Sequence, residues 1–426
     1  MLEPRWMEYL LLALGFVDLL EAASVITSTA IIILLRHHQW RRALSSFYVS
    51  AGLGVLSRFG FIRHLKEFRL FLLLLTLLFI LVHPIARFPD LSGQYRISCI
   101  TTRLSGVDAR IFYPCTKPEK EEQSIRYLEW EGHTPMGMAR YGRVPAFLLS
   151  HMPSFRLRAY REAPFYSNLK DRCPLIMFSH GLGGTFEVYS SLIEEWASRG
   201  FIVVAVNHSD GSAAAYRLPD QQDLLLYTHP QEDSLALEHR KVQLDQRIGE
   251  LRSALTAILQ DRSNALDLGS RIDPNRVFVV GHSFGAAAAI STAHIDNRFV
   301  AAVALDLWAQ PVRKEVFSQE SRVQSIPVLH IVSSLWADSD YFRDFVSSTK
   351  DKSNINVWVI EGARHASFSD LYLYSPIVIK LLHKTKIAAE RILIGTSRLT
   401  AEFLLGTFSE KDFVKEFGFF RKCLSQ

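Results

Sequence analysis

Residues 276–293, RVFVVGHSFGAAAAISTA, join a short strand to an Ala-rich helix through the pentapeptide GHSFG at residues 281–285. In a nucleophile elbow, a serine sits on a strained turn between strand and helix, and the flanking glycines let neighbouring backbone pass closely. The start of the helix then faces the negative charge that develops beside the serine. The stretch therefore predicts that Ser283 is a nucleophile.

Short β-rich runs alternate with stretches of helical period along the chain after Pro89. This alternation predicts a mainly parallel sheet with helices on both faces, and together with the elbow it predicts an α/β-hydrolase fold. Within Gln231–Asp261, apolar side chains recur at helical spacing and should pack one face on the sheet. The predicted strands are Ala109–Tyr113, Leu175–Ser179, Phe201–Val206, Val277–Val280, Ala301–Leu305, Val328–Ser333 and Asn356–Ile360.

A serine hydroxyl needs a base to remove its proton, and imidazole suits this task near neutral pH. In hydrolases with this elbow the chain order is serine, acid, histidine, so the base must follow Ser283. His365 lies in a loop just after the run INVWVI, at the carboxyl end of a predicted strand, where such sheets place their sites. It is therefore the predicted base. The alternatives are His294 in the elbow helix, His330 inside a strand and His383 on a later helix.

The acid that orients the histidine has two candidate positions. Asp306 directly ends the run AAVALD, whereas Asp338 or Asp340 follows the run PVLHIVSS one strand later. A carboxylate at either place could fix the tautomer of His365 and stabilise its imidazolium form. Topology slightly favours the later position, and these residues alone leave the choice open.

Residues 175–184, LIMFSHGLGG, place a Gly-rich turn directly after a strand. Turns of this kind supply one backbone N–H of an oxyanion hole, and the residue after the nucleophile supplies the other. We therefore expect the N–H groups of Leu182 and Phe284 to be the two donors. A dinucleotide-binding GxGxxG starting at Gly181 is excluded, because the third glycine position is Phe186.

Long apolar runs dominate the first ninety residues. Leu70–Ala86 carries no formal charge over 17 residues, near the minimum length for crossing about 30 Å of hydrocarbon. Tyr9–Leu35 reads as one tilted span or a helix pair, although Asp18 and Glu21 lie inside it. Ala43–Ser57 reads as a third span or an interfacial segment. The sequence thus predicts two or three transmembrane helices.

These spans predict a multi-pass integral membrane protein, with a membrane region at residues 1–90 and a catalytic domain at residues 91–426. If residues 43–57 do not cross, the positive-inside rule places the catalytic domain on the non-cytoplasmic side. A cleaved signal peptide is the alternative for the start, and Glu3 counts against it. The basic residues behind the orientation are Arg36, Arg41, Arg42, Arg58, Arg63, Lys66 and Arg69.

The composition narrows the range of partners. The chain has 426 residues, with 48 Lys and Arg against 43 Asp and Glu, a balance too mild to indicate nucleic-acid binding. It contains no HExxH motif, paired cysteines or EF-hand spacing, so we expect no metal and no other cofactor. The four cysteines lie far apart, which does not predict a disulfide-dense scaffold.

Several blocks between Gly93 and Leu405 resemble the platelet-activating factor acetylhydrolase family, the calcium-independent group VII phospholipases A2. They are FSHGLGG, GFIVVAVNHSDGSAAA, GHSFGAAAAI, VALDLW and the loop around His365. In that family the acid occupies the context that VALDLW matches, so the resemblance assigns it to Asp306. It also assigns the oxyanion donors to Leu182 and Phe284.

The resemblance implies a serine esterase that hydrolyses the sn-2 ester of phospholipids with short or oxidised acyl chains, such as 1-alkyl-2-acetylglycerophosphocholine. The expected partners are therefore a phospholipid and a membrane. Two alternatives share part of this pattern: a general carboxylesterase or polyester hydrolase of the same fold, and a non-enzymatic membrane protein that retains the fold.

Overall fold

The computed structural model describes residues 4–19, 44–58, 66–118, 125–166, 171–230, 236–261, 266–318, 320–339, 342, 354–375 and 387–423. The chain groups into two compact units. The first comprises Met1–Arg87, Pro145–Phe155 and Leu373–Lys384, and the second comprises Phe88–Val144, Arg156–Tyr372 and Thr385–Gln426. The division of the chain at residue 90 into a membrane region and a catalytic domain stays a prediction.

Three helices form the described start of the first unit: α1 (Pro4–Leu19), α2 (Ser45–Arg58) and α3 (Lys66–Val82). They pack through a small apolar core, because each helix turns one face of large side chains toward the others. The buried members of this core are Leu11, Leu12, Leu44, Phe47, Leu73 and Ile80.

A buried ion pair involves Asp18, one of the two acids inside the apolar stretch Tyr9–Leu35. Arg69 of α3 donates from Nη2 to Oδ2 of Asp18 in α1 at 2.6 Å, and its Nε donates to the carbonyl of Ser50 at 3.2 Å. Gly54 leaves room for the guanidinium, since a Cβ there would lie 2.5 Å from Nη2 of Arg69. Both charges of the pair are therefore satisfied inside the helical unit.

The described helices do not support the predicted spans. Among them, none is both long enough and apolar enough to cross a membrane. The apolar run Leu70–Ala86 does not form a helix of its own: α3 begins at Lys66, takes in Glu67 and Arg69, and ends after 17 residues at Val82. A spanning helix needs about 20 mostly apolar residues.

The described parts of the two other predicted spans also form no helix that could cross a membrane. The segment Ala43–Ser57 corresponds to α2, which has 14 residues. Only the start of Tyr9–Leu35 is described, as the end of α1, and residues 20–43 lie outside the described part. The predicted multi-pass membrane location therefore has no support from these helices.

The second unit is built on a ten-stranded, mainly parallel sheet. Its strands are β1 (Arg96–Leu104), β2 (Val107–Cys115), β3 (Tyr160–Arg161), β4 (Cys173–Ser179), β5 (Ile202–Asn207), β8 (Ile272–His282), β9 (Ala301–Leu305), β10 (Val328–Ser333), β11 (Ile355–Ile360) and β12 (Phe420–Lys422). Their order across the sheet is β12-β11-β10-β9-β8-β4-β5-β2-β1-β3. The pairs β1–β2, β2–β5 and β11–β12 are antiparallel, and the other neighbours in the sheet are parallel. A separate pair joins β6 (Ala215–Tyr216) to β7 (Leu225–Leu226).

The remaining helices and 3₁₀ turns connect these strands. The helices are α4 (His133–Gly142), α5 (Ser190–Ser198), α6 (Ala236–Gln260), α7 (Leu268–Arg271), α8 (Phe284–Ile295), α9 (Ser334–Ala337), α10 (Leu371–Tyr374), α11 (Ala389–Leu405) and α12 (Glu410–Glu416). The 3₁₀ turns are Ala146–Leu149, Met152–Ser154, Phe186–Tyr189, Lys314–Phe317, Arg322–Gln324 and His365–Phe368.

Helices cover both faces of the sheet. Met177 of β4 shares a core with Leu251 of α6 and Ala287 of α8, whereas the next residue, Phe178, packs against Trp196 of α5 with ring centroids 5.9 Å apart. Successive strand residues point to opposite faces, so α6 and α8 lie on one face and α5 on the other. This confirms the predicted mainly parallel sheet with helices and its α/β-hydrolase-like character.

Candidate active site

Ser283 occupies a sharp turn between β8 and α8. Its backbone has φ 58° and ψ −118°, a strained conformation that side-chain-bearing residues rarely adopt and that is typical of a strand-to-helix nucleophile turn. The two flanking glycines are required by close backbone contacts: a Cβ on Gly281 would lie 2.1 Å from the carbonyl oxygen of Gly285, and one on Gly285 would lie 2.1 Å from that of Ser179. The local geometry is that of a nucleophile elbow.

His365 lies beside this serine. It begins the 3₁₀ turn that follows β11, and its Nε2 is 2.8 Å from Oγ of Ser283. Two of the alternative histidines lie elsewhere: His330 is buried within β10, and His294 pairs through Nδ1 with Oγ of Ser321 at 2.8 Å. His383 is outside the described residues.

Asp306 completes a chain of hydrogen bonds. Its Oδ2 is 3.0 Å from Nδ1 of His365, and its side chain is fully buried at the end of β9. Ser333 adds two donors, because its backbone N–H reaches Oδ1 and its hydroxyl reaches Oδ2, both at 2.6 Å. Asp338, by contrast, lies exposed at the end of α9, and Asp340 is outside the described residues.

The proposed oxyanion loop lies against the elbow. Phe284 is the first residue of α8, so its N–H has no acceptor within the helix. Leu182 lies in the turn after β4, which is held by a bond from the Gly183 N–H to the Ser212 carbonyl at 2.8 Å. Two N–H groups are thus presented from the segments that the sequence indicated for an oxyanion hole.

Comparison with known proteins places the chain in a family. A family profile described as "Platelet-activating factor acetylhydrolase, isoform II" matches residues 81–417. The chain belongs to this family. The platelet-activating factor acetylhydrolase of Cavia porcellus is 33% identical over 311 residues, 66% of this chain and 68% of that protein. The Bos taurus protein of the same name is 40% identical over 262 residues, 55% of this chain and 58% of that protein.

A solved structure shows the fold at a greater distance. The ferulic acid esterase from Streptomyces cinnamoneus superposes with a TM-score of 0.58 at 19% identity, covering 76% of this chain and 94% of that one. Its likeness supports the α/β-hydrolase-like fold. Family membership and fold together support a hydrolase of carboxylic or phospholipid esters.

One buried cation, which sequence analysis missed, supports the Gly-rich turn after β4 in this acetylhydrolase-family chain. Arg247 of α6 donates from Nη1 to the carbonyl of His180 at 2.6 Å, pairs through Nε with Oδ2 of Asp210 at 2.9 Å, and lies 4.5 Å from the ring centroid of Phe284. Burial, and then the adjacent guanidinium, lowers the pKa of His180 well below its usual value. The imidazole therefore stays neutral beside the charged arginine.

A signal for this cation was present in the sequence. Leu244 and Leu251 define the apolar face of α6, and Arg247 lies three and four residues from them on that same face. A charged residue inside an apolar stripe needs a buried partner. Asp210, in the block NHSDGSAAA, is that partner.

Aromatic and apolar side chains surround the reacting groups. The indole of Trp336 stacks on His365, with ring centroids 4.5 Å apart and planes 21° apart, and its Nε1 donates to the carbonyl of Leu307 at 2.9 Å. Trp308 packs against Phe284 at 5.6 Å. Two tryptophan rings therefore pack against His365 and against Phe284, the residue after Ser283.

The described residues contain no group of three or more His, Cys, Asp or Glu side chains arranged to hold a metal ion. Nε2 of His365 lies within hydrogen-bonding distance of the serine hydroxyl, which is the geometry that a general base requires.

Proposed function

We propose that the chain is a serine esterase that hydrolyses the sn-2 ester of phospholipids carrying short or oxidised acyl chains, as in 1-alkyl-2-acetylglycerophosphocholine. The observation that carries the proposal is the hydrogen-bonded series Ser283, His365 and Asp306, with separations of 2.8 and 3.0 Å at a nucleophile elbow. Family membership supports the substrate class, since the matched relatives are named platelet-activating factor acetylhydrolases.

In the first half of the reaction, Oγ of Ser283 attacks the carbonyl carbon of the sn-2 ester while Nε2 of His365 takes the hydroxyl proton. Asp306 stabilises the resulting imidazolium through Nδ1. The oxyanion receives hydrogen bonds from the N–H groups of Leu182 and Phe284. His365 then gives its proton to the sn-2 oxygen, so that a lysophospholipid leaves and the acyl group remains on Ser283.

In the second half, water attacks the acyl-enzyme. His365 takes a proton from the water and returns it to Oγ of Ser283, which releases the carboxylic acid and regenerates the free serine. Every proton in the cycle passes through one imidazole nitrogen, Nε2, and its separation of 2.8 Å from Oγ of Ser283 supports this role.

The substrate class is tested with a panel of phosphatidylcholines whose sn-2 chains have graded length, measured beside a soluble p-nitrophenyl ester. We expect kcat/KM to be highest for the acetyl phospholipid and to fall as the chain lengthens. Turnover of the soluble ester with no phospholipid hydrolysis would instead indicate a general carboxylesterase. Failure of a fluorophosphonate probe to label Ser283 would indicate that the chain is not an enzyme of this class.

A further inference from the structure

Two buried residues that the proposed reaction does not use lie between the oxyanion loop and the base. Tyr189 ends the 3₁₀ turn after the oxyanion loop, and His282 ends β8 directly before Ser283. Both side chains are almost fully buried, with exposed fractions of 3% and 4%.

A continuous series of hydrogen bonds runs through these two side chains. The N–H of Gly181 donates to Oη of Tyr189 at 3.0 Å. Oη lies 2.9 Å from Nδ1 of His282, and Nε2 of His282 lies 2.9 Å from the carbonyl oxygen of His365. Segments far apart in the sequence, the turn after β4 and the loop after β11, are thereby joined through two side chains.

The direction of each bond follows from its partners. A carbonyl oxygen only accepts, so Nε2 of His282 carries a proton, and a neutral imidazole then accepts at Nδ1 from the hydroxyl of Tyr189. Burial, and then the nearby His365, lowers the pKa of His282 well below its usual value. Burial raises the pKa of Tyr189. Both groups are therefore neutral, and every donor in the series points toward His365.

We propose that Tyr189 and His282 are positioning residues that set the separation between the oxyanion donors and the catalytic base. The proposal rests on the proposed function. Leu182, the donor, directly follows Gly181, and His365 contributes both the carbonyl that His282 holds and the imidazole that acts on Ser283. A shift at either end of the series thus moves a reacting group.

The close packing around Gly181 leaves the side chains of Tyr189 and His282 little room to move. A Cβ at that position would lie 2.9 Å from Oη of Tyr189 and 3.0 Å from Nδ1 of His282. The rings of His282 and His365 are also in contact, with centroids 4.6 Å apart. Positioning errors on the order of 1 Å can lower a rate by about 100-fold. Loss of the hydrogen bonds through Tyr189 and His282 should therefore lower kcat.

The experiment compares three substitutions in the full chain, using an sn-2 acetyl phospholipid. Tyr189→Phe keeps the ring and deletes the hydroxyl, and His282→Leu deletes both nitrogens. His282→Gln keeps a donor and an acceptor. We expect Tyr189→Phe and His282→Leu to lower kcat by about 10- to 100-fold while KM changes less than about 3-fold. His282→Gln should restore most of kcat.

Tyr113→Phe is the matched control, because it also removes a buried phenolic hydrogen bond, from Oη to the carbonyl of Ala163 at 2.8 Å. Tyr113 belongs to β2, three strands away from β8 in the sheet. Tyr113→Phe should lower the free energy of unfolding and leave kcat at the wild-type value. Equal kcat in Tyr189→Phe and Tyr113→Phe, or equal activity in His282→Leu and His282→Gln, would overturn the proposal.

Ser283→Ala tests the esterase function separately from the positioning role of Tyr189 and His282. If Ser283→Ala abolishes turnover and Tyr189→Phe leaves kcat unchanged, the esterase assignment stands and the positioning role is lost. If Ser283→Ala keeps wild-type turnover, the esterase assignment itself fails.

Discussion

Ser333 gives a hydrogen bond to each carboxylate oxygen of Asp306, from its N–H to Oδ1 and from its hydroxyl to Oδ2, both at 2.6 Å. Asp306 follows β9 and Ser333 ends β10, so the neighbouring strand holds the carboxylate in place. With His365 as a third donor, the buried charge is fully satisfied. Asp338 and Asp340, the alternative candidates for the acid, follow β10 in the sequence. In the structure, β10 instead provides Ser333, which holds Asp306.

Removing the Ser333 hydroxyl tests that support. Ser333→Ala deletes one donor to Asp306 and leaves the backbone N–H in place. We expect kcat for an acetyl ester to fall by about 10- to 100-fold, because a hydrogen bond to a charged group is worth about 1.5 to 3 kcal/mol. Steady-state kinetics measures the change. An unchanged kcat would mean that the N–H alone holds the carboxylate.

The position of the acid is tested by a pair of amides. Asp306→Asn keeps the shape of the side chain and removes the charge that stabilises the imidazolium, so kcat should fall by about 10³- to 10⁴-fold. Asp338→Asn is the matched control on an exposed residue and should keep wild-type kcat. The reverse pattern would place the acid one strand later.

The stack of Trp336 on His365 gives a third prediction. Trp336→Leu removes the aromatic face from the imidazole, and we expect kcat to drop about 10-fold or more because the ring of His365 gains freedom to rotate. Trp336→Phe keeps an aromatic ring and loses only the bond to the Leu307 carbonyl. It should therefore retain most of the activity. Equal losses in the two variants would show that the stack has no part in positioning.

Asp370 predicts a pH dependence of stability. It is fully buried, accepting bonds from the Tyr127 hydroxyl and the Ser191 N–H, and burial raises its pKa from 3.8 to about 6. The folded protein therefore holds this proton more tightly than the unfolded chain does. Its contribution to stability is present in full below about pH 4 and is lost as the pH rises through about 6.

This effect is measured by urea unfolding of wild type and Asp370→Asn in the same buffers between about pH 4.5 and 7.5. Most of the titration of the carboxyl group falls within this range. The free energy of unfolding of wild type, relative to the variant, should decrease by about 2 kcal/mol across this range, most of it below about pH 6. A difference that stays constant with pH would contradict the raised pKa.

Much of the second unit could be predicted because its strands are short, buried and apolar. Ala301–Leu305 and Val328–Ser333 coincide with β9 and β10, and Ala109–Tyr113 lies within β2. β1 was not predicted. It lies next to the sheet edge and mixes buried and exposed positions, so neither an apolar run nor a clean alternation marks it.

The first unit was harder to predict. An apolar run of 17 residues is common to short spans and to helices that pack with one another. Asp18, one of the acids inside the apolar stretch, pairs with Arg69, which lies 51 residues away in the sequence. Such a pairing leaves no local signal.

The site shows the same division between local and distant information. The elbow is local, so Ser283 could be predicted from a single stretch of sequence. The choice between Asp306 and Asp338 depends on which strand end lies beside His365, which is a property of the folded sheet. Arg247 leaves a trace in the sequence as a charge on the apolar face of α6, but its partners appear only in the fold. Tyr189 and His282 contact other residues of the site, and only those contacts reveal them.

The central claim is that Ser283 is the nucleophile of an esterase, and hydrolysis of an sn-2 acetyl phospholipid by purified Ser283→Ala tests it most directly. The account predicts that kcat falls by at least about 10⁴-fold while the variant unfolds at the wild-type temperature. Turnover close to that of the wild-type protein would contradict it.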